Sequence, residues 1–125
     1  MPTVKPIKKE LLIHNVKLRT YAGDDGDKPG TEAEVDLLNV KIDKALQYKI
    51  VDGRYEVVGS ALMFVDAVNS VIDNGIDEPR APLSSDLLVD TEVVFQGKTY
   101  TVRDPDELSA DNKGNKIHHW EVVLK

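Results

Sequence analysis

Hydrophobic and polar residues alternate with period two along much of the chain, as in β-strands with one buried face. The clearest example is the segment 91–103, where a turn at Gln96-Gly97 places Val93 opposite Tyr100. A shift of one residue would mix acidic and aromatic side chains on one face, so the pattern selects this register. Gly97 supplies the positive φ that a two-residue turn needs. The segment is therefore predicted to be a β-hairpin.

The chain after this hairpin is predicted to leave the sheet and return as a closing strand. Proline lacks a backbone N–H, so Asp104-Pro105-Asp106 is expected to stop the hairpin ladder. The polar segment 109–115 is predicted to be an exposed turn. The strand that follows, 116–125, carries Trp120 and has apolar residues on both faces, which indicates a position inside the sheet. Trp120 is expected to lie in the core.

The first third of the chain has the same alternation, with one interruption. Residues 11–21 are predicted to form the first strand, and residues 22–30, rich in Gly, Asp and Pro, a long exposed loop. In 31–43 the apolar phase flips between Leu37 and Leu38, which predicts a β-bulge or sharp bend. Residues 44–54 are expected to be a connection.

The segment 56–72 fits two structures. Ser60 as an N-cap, with apolar residues at helical spacing, is compatible with a helix. The β-branched and aromatic run 57–65 fits equally a strand buried on both faces. Propensity alone does not decide between them. The segment 77–82 then breaks regular structure.

Composition bounds the class of protein. A chain of 125 residues is expected to form one domain, 1–125, with a basic arm at 1–9 and a β-barrel or sandwich at 10–125. The chain contains no cysteine, which excludes disulfides and thiolate chemistry. It has no apolar run as long as a membrane span and no signal-peptide pattern, so we expect synthesis and assembly in the cytoplasm.

Charge is distributed unevenly. The net charge is −6, but residues 1–23 contain five Lys or Arg and one Glu, whereas residues 24–125 contain eleven Lys or Arg and twenty-one Asp or Glu. Nucleic-acid binding depends mainly on clustered cations, so a DNA-binding enzyme is disfavoured. An acidic surface suits a channel through which DNA slides, although it equally serves solubility.

Few residues suggest catalysis or metal binding. Of the three histidines, His118 and His119 are predicted to point to opposite faces of a regular strand, so they would not bind one ion together. The acidic runs 24–27 and 104–107 lack the spacing of a calcium loop. No nucleophile elbow or nucleotide-binding glycine loop is present. We therefore expect no enzymatic activity, no metal and no cofactor.

Four collinear motifs carry a family resemblance. They are Leu11-Leu12-Ile13-His14-Asn15-Val16, Phe64-Val65-Asp66-Ala67-Val68-Asn69-Ser70, Phe95-Gln96-Gly97-Lys98-Thr99-Tyr100-Thr101-Val102 and His118-His119-Trp120-Glu121. Together they resemble the minor capsid proteins of tailed phages and prophages of Gram-positive bacteria, which are head-completion or stopper-type head–tail connector components of siphophage-like particles. The chain differs in having Gln where Asn is commoner in the hairpin turn, and in a longer insert at 71–88.

The resemblance implies an all-β or mainly β fold, a small antiparallel β-barrel or sandwich with long loops. It favours a strand at 55–66, followed by a loop or short helical turn. It also implies a virion protein of the neck that forms a homo-oligomeric ring, extends the DNA channel without binding DNA specifically, and docks portal, adaptor and tail-completion proteins. Two alternatives remain: a stand-alone small β-barrel that binds a ligand or peptide, and a small hydrolase that uses surface carboxylates.

Two sets of residues are predicted to matter most. Loops at 23–31, 66–83 and 104–115 are expected to carry the function. The candidate assembly-interface residues are Lys5, Lys8, Lys9, Asp24, Asp25, Asp27, Asp66, Asn69, Asp111 and Asn112. The candidate core residues are Val16, Leu18, Val35, Phe64, Val93, Phe95, Tyr100, Val102, Trp120 and Val122.

Overall fold

The computed structural model describes residues 5–21, 32–109 and 116–125. Within these residues the regular structure is β-strand, with two short 3₁₀ helices at Lys9–Leu11 and Ser84–Leu87. None of the described helices is long and apolar enough to span a membrane. The strands are β1 (His14–Tyr21), β2 (Glu32–Asp43), β3 (Gln47–Val51), β4 (Arg54–Gly59), β5 (Ala61–Asp66), β6 (Val71–Asp73), β7 (Glu92–Phe95), β8 (Lys98–Ser109) and β9 (Ile117–Leu124).

Six antiparallel strands close into a barrel in the order β1, β7, β8, β9, β5, β2, because β2 also pairs with β1. The short strand β6 adds to β2 outside this circuit, and β3 and β4 form a separate two-stranded sheet. Each of the six strands thereby pairs with two neighbours, although the two pairings of β2 and of β8 lie mostly on successive parts of the strand. The predicted all-β barrel fold is confirmed.

The barrel interior is filled by apolar side chains from all six strands, since alternate residues of each strand point inward. Of the ten candidate core residues, Val35 is half-buried and packs against this core, and Phe64 is half-buried. The other eight are buried, namely Val16, Leu18, Val93, Phe95, Tyr100, Val102, Trp120 and Val122.

The β7–β8 hairpin has the predicted register. Val93 pairs with Tyr100 and Phe95 with Lys98. Gln96 and Gly97 have φ values of 50° and 78°, so both central residues have the positive φ that a type I′ turn requires. The strand β9 lies between β8 and β5, as its two partly apolar faces predicted.

The prediction that Asp104-Pro105-Asp106 ends the ladder is wrong, because β8 continues to Ser109 and Pro105 pairs with Val122 of β9. The pairing of β7 with β8 ends at Thr101, so this part of β8 pairs only with β9 in the described chain. Proline is tolerated where one side of a strand is unpaired. Residues 104–109 of the expected functional loop are therefore strand.

The predicted phase flip in β2 is a bulge. His14 pairs with Val40 and Val16 with Leu37, so β2 has one residue more than β1 in this interval. Asn39 in the bulge has a φ of 60°. The extra residue returns the side chains of β2 to the core, where Leu37 and Val40 are both buried.

The segment 54–66 is strand and not helix, as the resemblance implied, but it forms two strands with a break after Gly59. A side chain at Gly59 would lie 2.7 Å from the carbonyl oxygen of Leu124, so only glycine fits where the chain crosses β9. The expected connection at 44–54 contains strand β3. Strand β1 begins at His14 instead of residue 11, because a 3₁₀ helix precedes it.

Candidate assembly surfaces

The N-terminal arm lies against the barrel from residue 5 onward. The backbone N–H of Ile7 donates a hydrogen bond of 2.9 Å to Asp66 Oδ1, and the side-chain amide of Asn69 donates one of 2.7 Å to the Ile7 carbonyl. Asp66 is the last residue of β5, and Asn69 lies in the turn that follows it. The arm is thus attached to the barrel by its backbone, which leaves its side chains available for other contacts.

Asp66, a candidate assembly-interface residue, is completely buried. Its Oδ2 accepts hydrogen bonds from the backbone N–H groups of Val68 (3.0 Å) and Asn69 (2.7 Å), and its own N–H donates to Ser70 Oγ. A short acidic side chain commonly closes a turn in this way. Asp66 therefore holds the turn and the arm together inside the molecule and is not available to a partner.

The same cluster also fixes the bulge of β2. The Ser70 hydroxyl donates to the carbonyl of Asn39, and the Asn39 side-chain amide donates to the carbonyl of Asn69 over 3.1 Å. The N–H of Asn39 donates to Asn15 Oδ1. Asn69, also a candidate interface residue, is half-buried in this cluster. The arm, the turn and the bulge thus form one hydrogen-bonded unit.

His118 and His119 lie side by side, so the prediction that they occupy opposite faces is wrong. Their Nδ1 atoms are 2.7 Å apart, and His118 Nε2 is 2.6 Å from the Lys5 carbonyl oxygen. The β8–β9 register shifts here, because Leu108 pairs with His119 whereas Ser109 pairs with Ile117. The bulge removes the strict alternation of side chains.

The tautomer of His118 follows from its partners. The Lys5 carbonyl only accepts hydrogen bonds, so His118 Nε2 carries a proton and donates it. When His118 is neutral, its Nδ1 accepts from the Nδ1–H of His119. The histidine pair therefore holds the backbone of the arm at a second point.

The remaining candidate interface residues fall in two groups. Lys5, Lys8 and Lys9 have exposed side chains. Asp24, Asp25, Asp27, Asp111 and Asn112 lie outside the described residues, as does the whole of the loop 23–31. In the described part of the chain, no three His, Cys, Asp or Glu side chains are grouped so that they could hold a metal ion.

The β3–β4 hairpin extends from the barrel and exposes an apolar face. Tyr48 pairs with Val57 and Ile50 with Tyr55, so these four side chains share one face, called here the hairpin face. Their exposed fractions are 57%, 48%, 65% and 77%, respectively. The two tyrosine rings meet edge to face, with centroids 6.4 Å apart. This surface was not predicted from the sequence, although the Asp52-Gly53 turn between alternating segments is a hairpin signal.

A second apolar surface lies beside the arm. It is a groove of about 370 Å³. Apolar side chains dominate its lining, and Glu10 and Lys41 add one charge of each sign. Its apolar residues are Ile7, Leu11, Leu12, Ile13 and Phe64. Leu11 and Ile13 are exposed, so the groove is open to a partner.

His14 and Asp86 have shifted pKa values. Burial, together with the charges of Lys41 and Lys44, lowers the pKa of His14, whose Nδ1 accepts a 2.9 Å hydrogen bond from the Ile42 N–H. Burial acts to raise the pKa of Asp86, but hydrogen bonds from Arg80 and from the Leu83 N–H outweigh it and lower the pKa overall. The two Arg80–Asp86 hydrogen bonds are both 2.8 Å long.

Exposed apolar surfaces on a barrel with a packed interior are typical of proteins that make contacts with other proteins. The model of the family described as minor capsid protein matches residues 8–124. The chain belongs to this family of phage minor capsid proteins and is accordingly a structural protein of a virion. No curated protein and no solved structure matches the chain.

Proposed function

We propose that the protein acts at the head–tail junction, where several copies form a ring that extends the DNA channel and docks the tail. The observation that carries this proposal is the pair of exposed apolar surfaces, the hairpin face and the groove, on a chain of a capsid family. A subunit that stays in contact with neighbours covers such surfaces, whereas a monomer would leave them in water.

The charge of the chain supports a channel position. With a net charge of −6, the surface repels DNA phosphates, so the polymer passes without adhering to the wall. The cations of the arm, Lys5, Lys8 and Lys9, are the exception. We propose that they contact acidic surfaces of neighbouring subunits, or of the portal, adaptor or tail-completion proteins, during assembly in the host cytoplasm.

A particle that lacks the protein tests the location. If the protein closes the head and docks the tail, electron cryo-microscopy of these particles will show heads that lose their DNA or fail to join tails. Normal, infectious particles would refute the proposal. A gel-shift titration with duplex DNA at low salt tests the channel role separately. Binding at micromolar or lower concentration, abolished by Lys5→Ala, Lys8→Ala and Lys9→Ala together, would favour a role in gripping the genome.

The groove also favours a second candidate function, a barrel that binds an apolar peptide. Such a module would bind its peptide as a monomer and would keep the hairpin face uncovered in the complex. Sedimentation velocity separates the two functions, because a ring subunit is expected to self-associate at high concentration or with its neck partners.

A further inference from the structure

The β3–β4 hairpin lacks the support that stabilises the other strands. In the described chain, β3 pairs only with β4, and every residue from 48 to 50 and from 54 to 57 is exposed. An isolated two-stranded hairpin is marginally stable in water. Its four large apolar side chains expose on the order of several hundred Å², comparable to the largest patch on a typical monomer. This face therefore gains stability when another surface covers it.

The groove beside the arm has the matching properties. It is apolar, and its shape is held by the hydrogen bonds that attach Ile7 to Asp66 and Asn69. The backbone of the arm is already fixed. Binding of a partner in the groove therefore does not lose the free energy that ordering the arm would cost. A Tyr or Ile side chain fits the volume of about 370 Å³.

Charge indicates which molecule covers the hairpin. Residues 47–58 contain Lys49 and Arg54 against Asp52 and Glu56, so the hairpin is neutral. The charged residues of the groove, Glu10 and Lys41, also cancel. Two copies of a chain with a net charge of −6 repel each other over most of their surfaces. Two copies can approach each other at neutral, apolar surfaces without this repulsion. A strongly charged partner would find no opposite net charge on the hairpin or in the groove.

We propose that the hairpin face of one copy packs into the groove of a second copy. This inference rests on the proposed function and specifies the contact that builds the ring. The two surfaces differ, so the contact is head-to-tail. Each copy then offers a free hairpin on one side and a free groove on the other, and repetition closes into a ring if the rotation per copy allows it.

Charge substitutions on each surface test the contact. Ile50→Asp places a negative charge on the hairpin face, and Ile13→Asp places one in the groove. Each variant alone is expected to weaken self-association in sedimentation velocity by roughly tenfold or more. Ile76→Asp, at a residue 90% exposed on neither surface, is the matched control and should associate like the unmodified chain. Circular dichroism checks that all three variants fold.

A mixture of the two variants distinguishes the geometry. An Ile50→Asp copy keeps its groove and an Ile13→Asp copy keeps its hairpin, so the mixture is expected to form dimers but no larger species. A symmetric contact that uses both surfaces at once would instead be lost in the mixture, which would overturn the head-to-tail arrangement.

The absence of cysteine permits a direct proximity test. Differently tagged Ile50→Cys and Leu11→Cys copies are mixed and oxidised, and the heterodimer is expected to exceed both homodimers. Ile76→Cys, at a residue exposed on neither surface, replaces Leu11→Cys in the control. No preferential heterodimer, or a chain that stays monomeric to about 1 mM, overturns the inference. The head–tail location is judged separately by particles that lack the protein.

Discussion

The backbone N–H of Ile7 donates a 2.9 Å hydrogen bond to Asp66 Oδ1, across 59 positions of sequence. This contact converts a basic arm into a fixed part of the barrel. It also explains why Asp66 is buried without a cationic partner among the described hydrogen bonds, since three backbone N–H groups donate to its carboxylate.

Asp66→Ala is expected to destabilise the protein by about 3 kcal/mol or more, because three backbone donors lose their acceptor. Urea unfolding measures the change, and hydrogen exchange at Ile7 should show loss of protection. Asp104→Ala, at an exposed position, should change stability by no more than about 0.5 kcal/mol. A loss below about 1 kcal/mol for Asp66→Ala would show that water replaces the carboxylate.

Trp120→Ala is expected to cost about 3 to 5 kcal/mol in the free energy of unfolding. The side chain is 2% exposed, and its indole N–H donates to Ser84 Oγ over 3.1 Å. Tyr55→Ala, which truncates an exposed aromatic residue of the hairpin face, is the control and should cost far less in the monomer. Similar losses for the two variants would contradict a core role for Trp120.

Stability is expected to fall as the pH drops below about 6.5, the usual pKa of histidine. The folded state lowers the pKa of His14, so the unfolded chain takes up the proton first and the stabilisation present at higher pH is lost. His14→Asn keeps an acceptor for the Ile42 N–H but cannot titrate. The difference in stability between the two proteins should therefore change as the pH falls below about 6.5; a difference that is constant with pH would exclude His14 as the cause.

The Arg80–Asp86 pair is expected to contribute at neutral pH and to be lost in acid. The pKa of Asp86 is lowered in the folded state, so its stabilisation is present above the usual value of 3.8 and disappears as the pH falls through the folded pKa. Asp86→Asn should reduce stability at pH 7 by about 1 kcal/mol and reduce it less at pH 2 to 3. An equal loss at both pH values would indicate a role independent of charge.

Replacing Lys5, Lys8 and Lys9 by Ala is expected to slow incorporation into particles, with a smaller effect at high salt. Substitution is preferable to deletion of residues 1–9, because deletion also removes the donor to Asp66. The variant should unfold at the same urea concentration as the unmodified chain. Incorporation that is unchanged across a salt series would assign these lysines no role in assembly.

The elements that the sequence predicted best are those whose information is local. The register of the β7–β8 hairpin follows from alternation and a glycine at a fixed turn position. The β2 bulge follows from a slip in the same alternation. The Asp52-Gly53 turn carries a similar signal, but residues 44–54 were predicted to be a connection, so the hairpin was missed although a strand was predicted at 55–66.

What sequence did not reveal depends on contacts between distant segments. Pro105 is a normal strand breaker, and it is accommodated because β7 has already ended beside β8. His118 and His119 are adjacent, so their side chains would point to opposite faces of a regular strand. The extra residue of β9 relative to β8 brings their Nδ1 atoms together. Neither outcome is encoded within a few residues of the side chains concerned.

The sequence by itself determined the all-β class, the side chains that face the core and the absence of thiol chemistry, because period-two patterning and composition are properties of the chain. Tertiary structure decided that Asp66 is an internal anchor and that the hairpin face and the groove are exposed. The physical reason is that burial depends on which strands meet when the barrel closes. The pairing of β1 with both β2 and β7 determines which strands meet. The sequence of a single strand does not contain this information.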